Sequence, residues 1–257
     1  MPLRISQPSI QSLFVEIKAE SRILATATAF VAQTDVGDRF LFTNRHNVTG
    51  RDQDTGELLC RHGAVPATVV IHHNARSGIG NFKHVEVPLF SSGQPLWIEH
   101  PTHGSKADFV ALPIANDPEI ELFPYRVRGD THLNMAPAQR VSVVGFPFGE
   151  KTGPSFAVWA TGFIASEPEI DHGGRPVFLI DCRTRRGQSG SPVIAFGSKG
   201  GVTVHENGTE VANISNSLLG IYSGRINVES DIGVVWKASA LVELIRHASL
   251  TKGTRHS

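Results

Sequence analysis

Three side-chain types that could together carry out acyl transfer stand at positions 46, 108 and 189. Ser189 lies between glycines in the stretch GQSGSP (187–192), directly before an apolar segment. A nucleophilic serine needs a base that takes its proton, a carboxylate that orients this base, and N–H donors that bind the oxyanion. Gly187 can adopt a positive φ, so its N–H can turn inward beside that of Ser189. Taken alone, the stretch also fits a tight turn before a strand.

Candidates for the base and the orienting carboxylate each border an apolar segment. His46 follows FLFTN (40–44) in a short polar turn, and Asp108 directly precedes FVALPI (109–114). A buried aspartate needs a partner, because burying an unpaired charge is costly, and an imidazole N–H is a suitable one. Taken singly, His46 could be a surface or core imidazole, and Asp108 a cap at the start of a strand.

Many short apolar, β-branched segments separated by Gly, Pro, Asn and Asp predict an all-β fold, a sandwich or a barrel. Residues 35–38 predict a hairpin turn, and the polar segments 72–84 and 198–216 predict loops or long hairpins. Helical spacing occurs only near the end, with apolar residues at 241, 244, 245 and 248 and with Ser239 as a candidate cap. One large domain or two small domains are both open at this length.

The composition is that of a globular protein, with 257 residues of which 40% are hydrophobic and 19% charged. Lys plus Arg and Asp plus Glu are each 24, and this zero net charge argues against a nucleic-acid partner. No apolar run is long enough for a membrane span, and no signal-peptide pattern is visible. With two cysteines far apart, Cys60 and Cys182, we expect a cytoplasmic protein with reduced thiols.

A metal site is the alternative that the histidines raise. His72 and His73 could combine with His84, His100 or His103. Adjacent residues of a strand point to opposite faces, however, so His72 and His73 cannot easily share one ion. We expect neither a metal nor an organic cofactor.

The order His46, Asp108, Ser189 resembles that of the trypsin-like serine proteases of the chymotrypsin superfamily. FLFTNRHNV, ADFVALPI and GQSGSP are similar to the segments around that family's catalytic histidine, aspartate and serine. VSVVGFPFG and DIGVVWKASALVELI resemble strands and the terminal helix of bacterial, HtrA-like members, but we expect no PDZ domain. The resemblance implies two antiparallel six-stranded β-barrels with a C-terminal α-helix and the active site between them. We place the boundary near 125, so that 1–125 carries His46 and Asp108 and 126–257 carries Ser189.

The resemblance also implies a serine endopeptidase that acts through an acyl-enzyme, with the N–H groups of Gly187 and Ser189 as oxyanion hole. Gln188 stands where secreted members carry an aspartate that pairs with a new N-terminus. We therefore expect no activation by N-terminal cleavage. A peptide or protein is the expected substrate, and a regulatory partner protein is a further candidate.

The resemblance assigns the base of the specificity pocket to Arg183, or to Thr184 if the loop differs by one residue. Ser223, Gly224 and Arg225 would line the pocket. A basic pocket would favour an acidic side chain before the cleaved bond, unless Arg183 belongs to a solvated loop face. The alternative function is a catalytically silent or partner-activated fold that binds peptides. The presence of all three catalytic residue types argues against it.

Overall fold

The computed structural model describes residues 4–114, 117–127, 135–204, 210–227 and 229–254. Its first half consists of short strands and two one-turn helices: β1 (Arg4–Ser6), α1 (Gln7–Gln11), β2 (Ser12–Ala19), β3 (Arg22–Thr34), β4 (Arg39–Thr43), α2 (Arg45–Thr49), β5 (Thr68–Asn74), β6 (Phe82–Pro88), β7 (Phe90–Ser91), β8 (Gln94–Pro95), β9 (Val110–Leu112) and β10 (Tyr125–Val127). The second half contains a 3₁₀ turn at Pro147–Gly149 and the following elements: β11 (Arg140–Gly145), β12 (Val158–Ile164), β13 (Val177–Asp181), β14 (Pro192–Val204), β15 (Glu210–Arg225), β16 (Ile232–Lys237) and α3 (Ala238–Thr254).

The N-terminal unit is a sheet in the order β6-β5-β2-β3-β4-β9, with β10 added alongside β3. Strand β3 is buried on both faces, because successive side chains of a strand alternate between its two sides. Phe30 and Ala32 pack into one apolar cluster, whereas Ala29 and Val31 pack into another. The strand therefore joins the interior of the N-terminal unit to the interface with the C-terminal unit.

The C-terminal unit is a closed barrel. Strands β11, β12, β13, β16, β15 and β14 are hydrogen-bonded in that order, and the pairing of β14 with β11 completes the ring. Its interior is filled by β-branched and aromatic side chains, including Val143, Phe178 and Ile180. The all-β prediction and the chymotrypsin-like double-barrel architecture are confirmed.

Two parallel pairings depart from the expected antiparallel pattern. β1 lies parallel to β15 of the C-terminal barrel, so the start of the described chain crosses to the other unit. β10 lies parallel to β3, so residues 125–127 belong to the N-terminal sheet.

The predicted turns and hairpins are found. Thr34 N donates to Asp38 O across the turn at 35–38, at 2.9 Å. Residues 72–84 fall in the β5–β6 hairpin, and residues 198–216 fall in the β14–β15 hairpin, of which 205–209 lie outside the described residues.

Helix α3 covers the interface between the two units. The predicted apolar positions Leu241, Leu244, Ile245 and Ala248 are fully buried. The helix begins at Ala238, so Ser239 lies within its first turn and not at its cap. Within the described part of the chain, no helix is long and apolar enough to cross a membrane.

Candidate active site

His46 and Asp108 form the centre of a hydrogen-bonded cluster. His46 Nδ1 lies 2.8 Å from Asp108 Oδ2, and the His46 backbone N–H donates to Asp108 Oδ1 at 3.0 Å. Ser223 Oγ donates a third hydrogen bond to the carboxylate, to Oδ2 at 2.7 Å. These bonds fix the imidazole with Nδ1 on the carboxylate, which leaves Nε2 as the nitrogen for a reacting group.

A one-turn helix, and not the expected turn, presents His46. Helix α2 starts directly after Asn44, and Gly50 ends it in the left-handed conformation, with φ 65° and its N–H on His46 O. The Asn44 side-chain amide donates to Asp108 O, which ties the loop before β9 to the start of α2. Helix α2, which carries the histidine, and the loop that carries the aspartate are thereby held together.

The pKa of His46 lies above the ordinary histidine value. Burial alone lowers this pKa, but the charge of Asp108, its hydrogen bond and the charge of Asp52 together raise it by more. These interactions therefore stabilise the protonated imidazole. A general base takes this form after it accepts a proton.

The loop around Ser189 takes a conformation that only glycine allows at two positions. Gly187 has φ 91°, and a Cβ there would lie 2.2 Å from Phe146 O. Gly190 has φ 85°, and a Cβ there would lie 2.2 Å from Thr28 O. Both the backbone twist and the close approach of neighbouring main chain therefore require glycine on each side of the serine.

The two predicted oxyanion donors are oriented by the carbonyls that precede them. Arg186 O accepts from Phe148 N, and Gln188 O accepts from Ser191 N at 3.0 Å. In a trans peptide group the C=O and the following N–H point in opposite directions, and the described chain has no cis peptide. The N–H groups of Gly187 and Ser189 therefore point away from the carbonyl partners, and neither donates to any described residue.

Thr28 of the N-terminal unit braces this loop of the C-terminal unit. Its N–H donates to Ser189 O at 3.0 Å, and its hydroxyl donates to Gly187 O at 2.8 Å. The same hydroxyl accepts from Phe146 N at 3.2 Å, and the residue is fully buried. Sequence reasoning missed this residue, since a threonine within a strand carries no motif.

Gln188 folds back on its own loop. Its Oε1 accepts from Arg185 N at 2.8 Å, the side chain is fully buried, and Nε2 has no partner among the described residues. Gln188, which stands where secreted members carry an aspartate, thus closes the loop by a local hydrogen bond.

Ser189, His46 and Asp108 line one cleft of about 730 Å³. Gly187 and the predicted substrate-binding residues Ser223, Gly224 and Arg225 line the same cleft. Lys106, His172 and Arg175, which sequence reasoning did not single out, also line the cleft, as does Arg186.

Arg183 and Thr184 lie outside the lining of the cleft. The Arg183 side chain is 86% exposed, with Nε 3.7 Å from Asp231 Oδ2. Thr184 is fully buried, and its hydroxyl is hydrogen-bonded to Tyr222 OH. The prediction that Arg183 or Thr184 forms the base of an open specificity pocket therefore does not agree with the structure.

The histidines considered for a metal site are dispersed by the fold. His72 stacks on His84 with ring centroids 3.8 Å apart, and His100 packs near His103 and Phe109. The described residues contain no group of three His, Cys, Asp or Glu side chains suited to a metal ion. Neither Cys60 nor Cys182 is in a disulfide.

Residues 27–202 match the trypsin-like peptidase domain family, and the chain belongs to this family. None of the curated proteins compared with the chain matches it. Among solved structures, the thermostable serine protease AL20 from an extremophilic microorganism is 13% identical, with a TM-score of 0.55 over 95% of this chain and 99% of that one. Deg5 is 14% identical, with a TM-score of 0.54 over 91% of this chain and 86% of that one.

An inactive mutant form of Rv3671c from M. tuberculosis is 16% identical, with a TM-score of 0.50 over 96% of this chain and 89% of that one. At these identities the likenesses establish the fold alone. They agree with the chymotrypsin-like double barrel of HtrA-like proteases.

Proposed function

We propose that the protein is a serine endopeptidase in which Ser189 is the nucleophile, His46 the general base and Asp108 the orienting carboxylate. The observation that carries this proposal is the bond from His46 Nδ1 to Asp108, in a cleft that Ser189 also lines. A substrate of peptide or protein class fits a cleft of this volume that is open between two barrels.

In the proposed mechanism, Ser189 Oγ attacks the peptide carbonyl carbon while His46 Nε2 takes the hydroxyl proton. Asp108 stabilises the resulting imidazolium, which agrees with the raised pKa of His46. His46 then gives this proton to the leaving amine, and an acyl-enzyme ester remains on Ser189. Water, activated by His46, hydrolyses the ester and returns the serine to its starting state.

The oxyanion of each tetrahedral intermediate would be bound by the N–H groups of Gly187 and Ser189. Each such donor contributes about 3–4 kcal/mol to lowering the barrier in comparable sites. Because these donors are already oriented and Gln188 closes the loop without a charge, the proposed enzyme needs no N-terminal cleavage for activity.

The test is covalent labelling with a fluorophosphonate probe, which reports an activated serine without requiring a known peptide substrate. We expect wild-type protein to be labelled on Ser189 and the Ser189→Ala and His46→Ala variants to remain unlabelled. Circular dichroism of each variant shows whether it is folded. Wild-type protein that is folded but unlabelled would contradict the proposal and favour the silent or partner-activated alternative.

A further inference from the structure

The half of the cleft on the C-terminal barrel is lined by three arginines, Arg175, Arg186 and Arg225. None of them forms an ion pair with a carboxylate of the described residues. Arg175 packs over the Trp236 ring at 5.9 Å, and Arg225 Nη1 donates to Ser230 O at 3.4 Å. Arg183 and Arg185 differ from them, because both are paired with Asp231. The cleft therefore presents guanidinium groups whose charge is not neutralised locally.

The chemistry of the reaction indicates which side of the cleaved bond the arginine-lined half of the cleft would bind. His46 must deliver its proton to the leaving amine, so the leaving side lies toward the loop that follows α2. Asp52, Asp54 and Leu59 belong to that loop and line the cleft. The acyl side then lies toward β15 and Arg225, next to the arginines.

The space at Gly224 is open, whereas the nearby Thr184 and Tyr222 side chains are buried. Gly224 has no side chain, and a Cβ placed there would meet nothing within 4 Å. Thr184 and Tyr222, in contrast, fill the interior with a buried hydroxyl pair. A substrate side chain beside Gly224 would therefore lie in the part of the cleft that Arg186 and Arg225 line, whereas Arg183 does not line it.

We propose that this cleft selects peptides with aspartate or glutamate on the acyl side of the cleaved bond, through Arg186 and Arg225 at its rim. The proposal rests on the protease function proposed above and assigns its substrate class. Arginine binds carboxylates in a bidentate manner, which gives both charge and geometric selection. Asp52 and Asp54 on the leaving side disfavour acidic side chains there, so the selection has a direction.

The experiment compares cleavage of a mixed octapeptide library by wild-type protein and by Arg186→Gln, Arg225→Gln and the double variant. Cleavage sites are located by mass spectrometry. We expect Asp and Glu to be enriched within three positions before the cut bond and not after it. Matched peptides with Glu or Gln at the enriched position then give kcat/KM ratios. Each single substitution should lower the Glu-over-Gln ratio about tenfold, the loss expected for a charge-assisted hydrogen bond.

Two further variants separate this proposal from a general charge effect. Arg246→Gln removes an exposed arginine on α3 and should leave the Glu-over-Gln ratio unchanged. Arg183→Gln tests the position that the sequence resemblance favoured, and it should also leave the ratio unchanged. A ratio that falls in Arg183→Gln but persists in the double variant would overturn the assignment, as would a library without acidic enrichment in wild-type protein.

A binding measurement keeps this test independent of turnover. Fluorescence anisotropy of Ser189→Ala protein with the same Glu and Gln peptides reports recognition without cleavage. If wild-type protein is inactive but Ser189→Ala protein prefers Glu peptides in an Arg186- and Arg225-dependent manner, the protease function fails and the acidic selection stands. If the enzyme is active but both peptides bind and react equally, the acidic selection fails and the protease function stands.

Discussion

At the scale of single residues, the site depends on charges that lie close to His46. Asp108 contacts the imidazole directly, whereas Asp52 acts from the loop after α2 without a hydrogen bond to it. A base must be neutral to accept a proton. As the pH falls, His46 becomes protonated. Because its pKa is raised, this happens at a higher pH than for an ordinary histidine.

We therefore expect kcat/KM to fall on the acid side with a midpoint above the ordinary histidine pKa of about 6.5. Asp52→Asn removes one of the charges that raise the pKa of His46, so this midpoint should move to lower pH. An asparagine Oδ1 can still accept the bonds that Asp52 Oδ1 receives from Asp54 N and Thr55 N, at 3.0 and 2.8 Å.

The measurement is the pH profile of kcat/KM, or of the fluorophosphonate labelling rate. Asp54→Asn, in the same turn, is the matched control and should leave the midpoint in place. A midpoint that does not respond to Asp52→Asn would show that this charge does not act on His46.

The sequence alone could identify the candidate catalytic residues because each borders an apolar strand in a recognisable segment. The sequence could not show which of the arginines before Ser189 has its side chain in the cleft. Arg183 points toward Asp231, which lies far along the chain, while Arg186 lines the cleft. Such directions are set by contacts between distant segments, which local spacing does not encode.

At the scale of elements, the loop around Ser189 is held by a strand of the other unit. Strand β3 contributes Thr28, whose hydroxyl joins Gly187 O to Phe146 N. The stretch ATATAF suggests an ordinary alternation of small and polar residues. In the structure, Ala27, Thr28 and Ala29 are all fully buried, because the serine loop covers the second face of the strand.

Thr28→Val should weaken the proposed oxyanion site while preserving the shape of the side chain. The substitution leaves two buried backbone groups without a partner, at a cost of about 1–3 kcal/mol for each. We expect the labelling rate of Ser189 to fall more than tenfold. Thr28→Ser keeps the hydroxyl and should retain most of the rate. Equal labelling rates in the valine variant and wild-type protein would argue against this brace.

At the scale of the whole molecule, one apolar cluster is shared by both units and by α3. It contains Phe30, Phe42 and Phe109 of the first unit, Trp236 of the second, and Leu244 of the helix. The amphipathic spacing of α3 was visible in the sequence, and its apolar face is buried as predicted. Which surface it covers could not be predicted, since that depends on how the two units meet.

Leu244→Ala should lower the free energy of unfolding by about 2–5 kcal/mol, the usual cost of removing a buried leucine side chain. Leu250→Ala is the matched control on the same helix, because Leu250 is 74% exposed, and it should change stability by less than about 0.5 kcal/mol. Urea denaturation followed by circular dichroism measures both. Similar values for the two variants would show that the helix is not part of the shared core.

The first strand and the last helix of the described chain each pack against the other unit, and this has a consequence during synthesis. β1 pairs with β15, and α3, which follows every strand along the chain, completes a cluster that includes side chains of the first unit. A growing chain that has exposed only the first unit has neither the serine loop nor the helix that covers its apolar face. The peptidase activity proposed above would therefore require nearly all of the described chain to have left the ribosome.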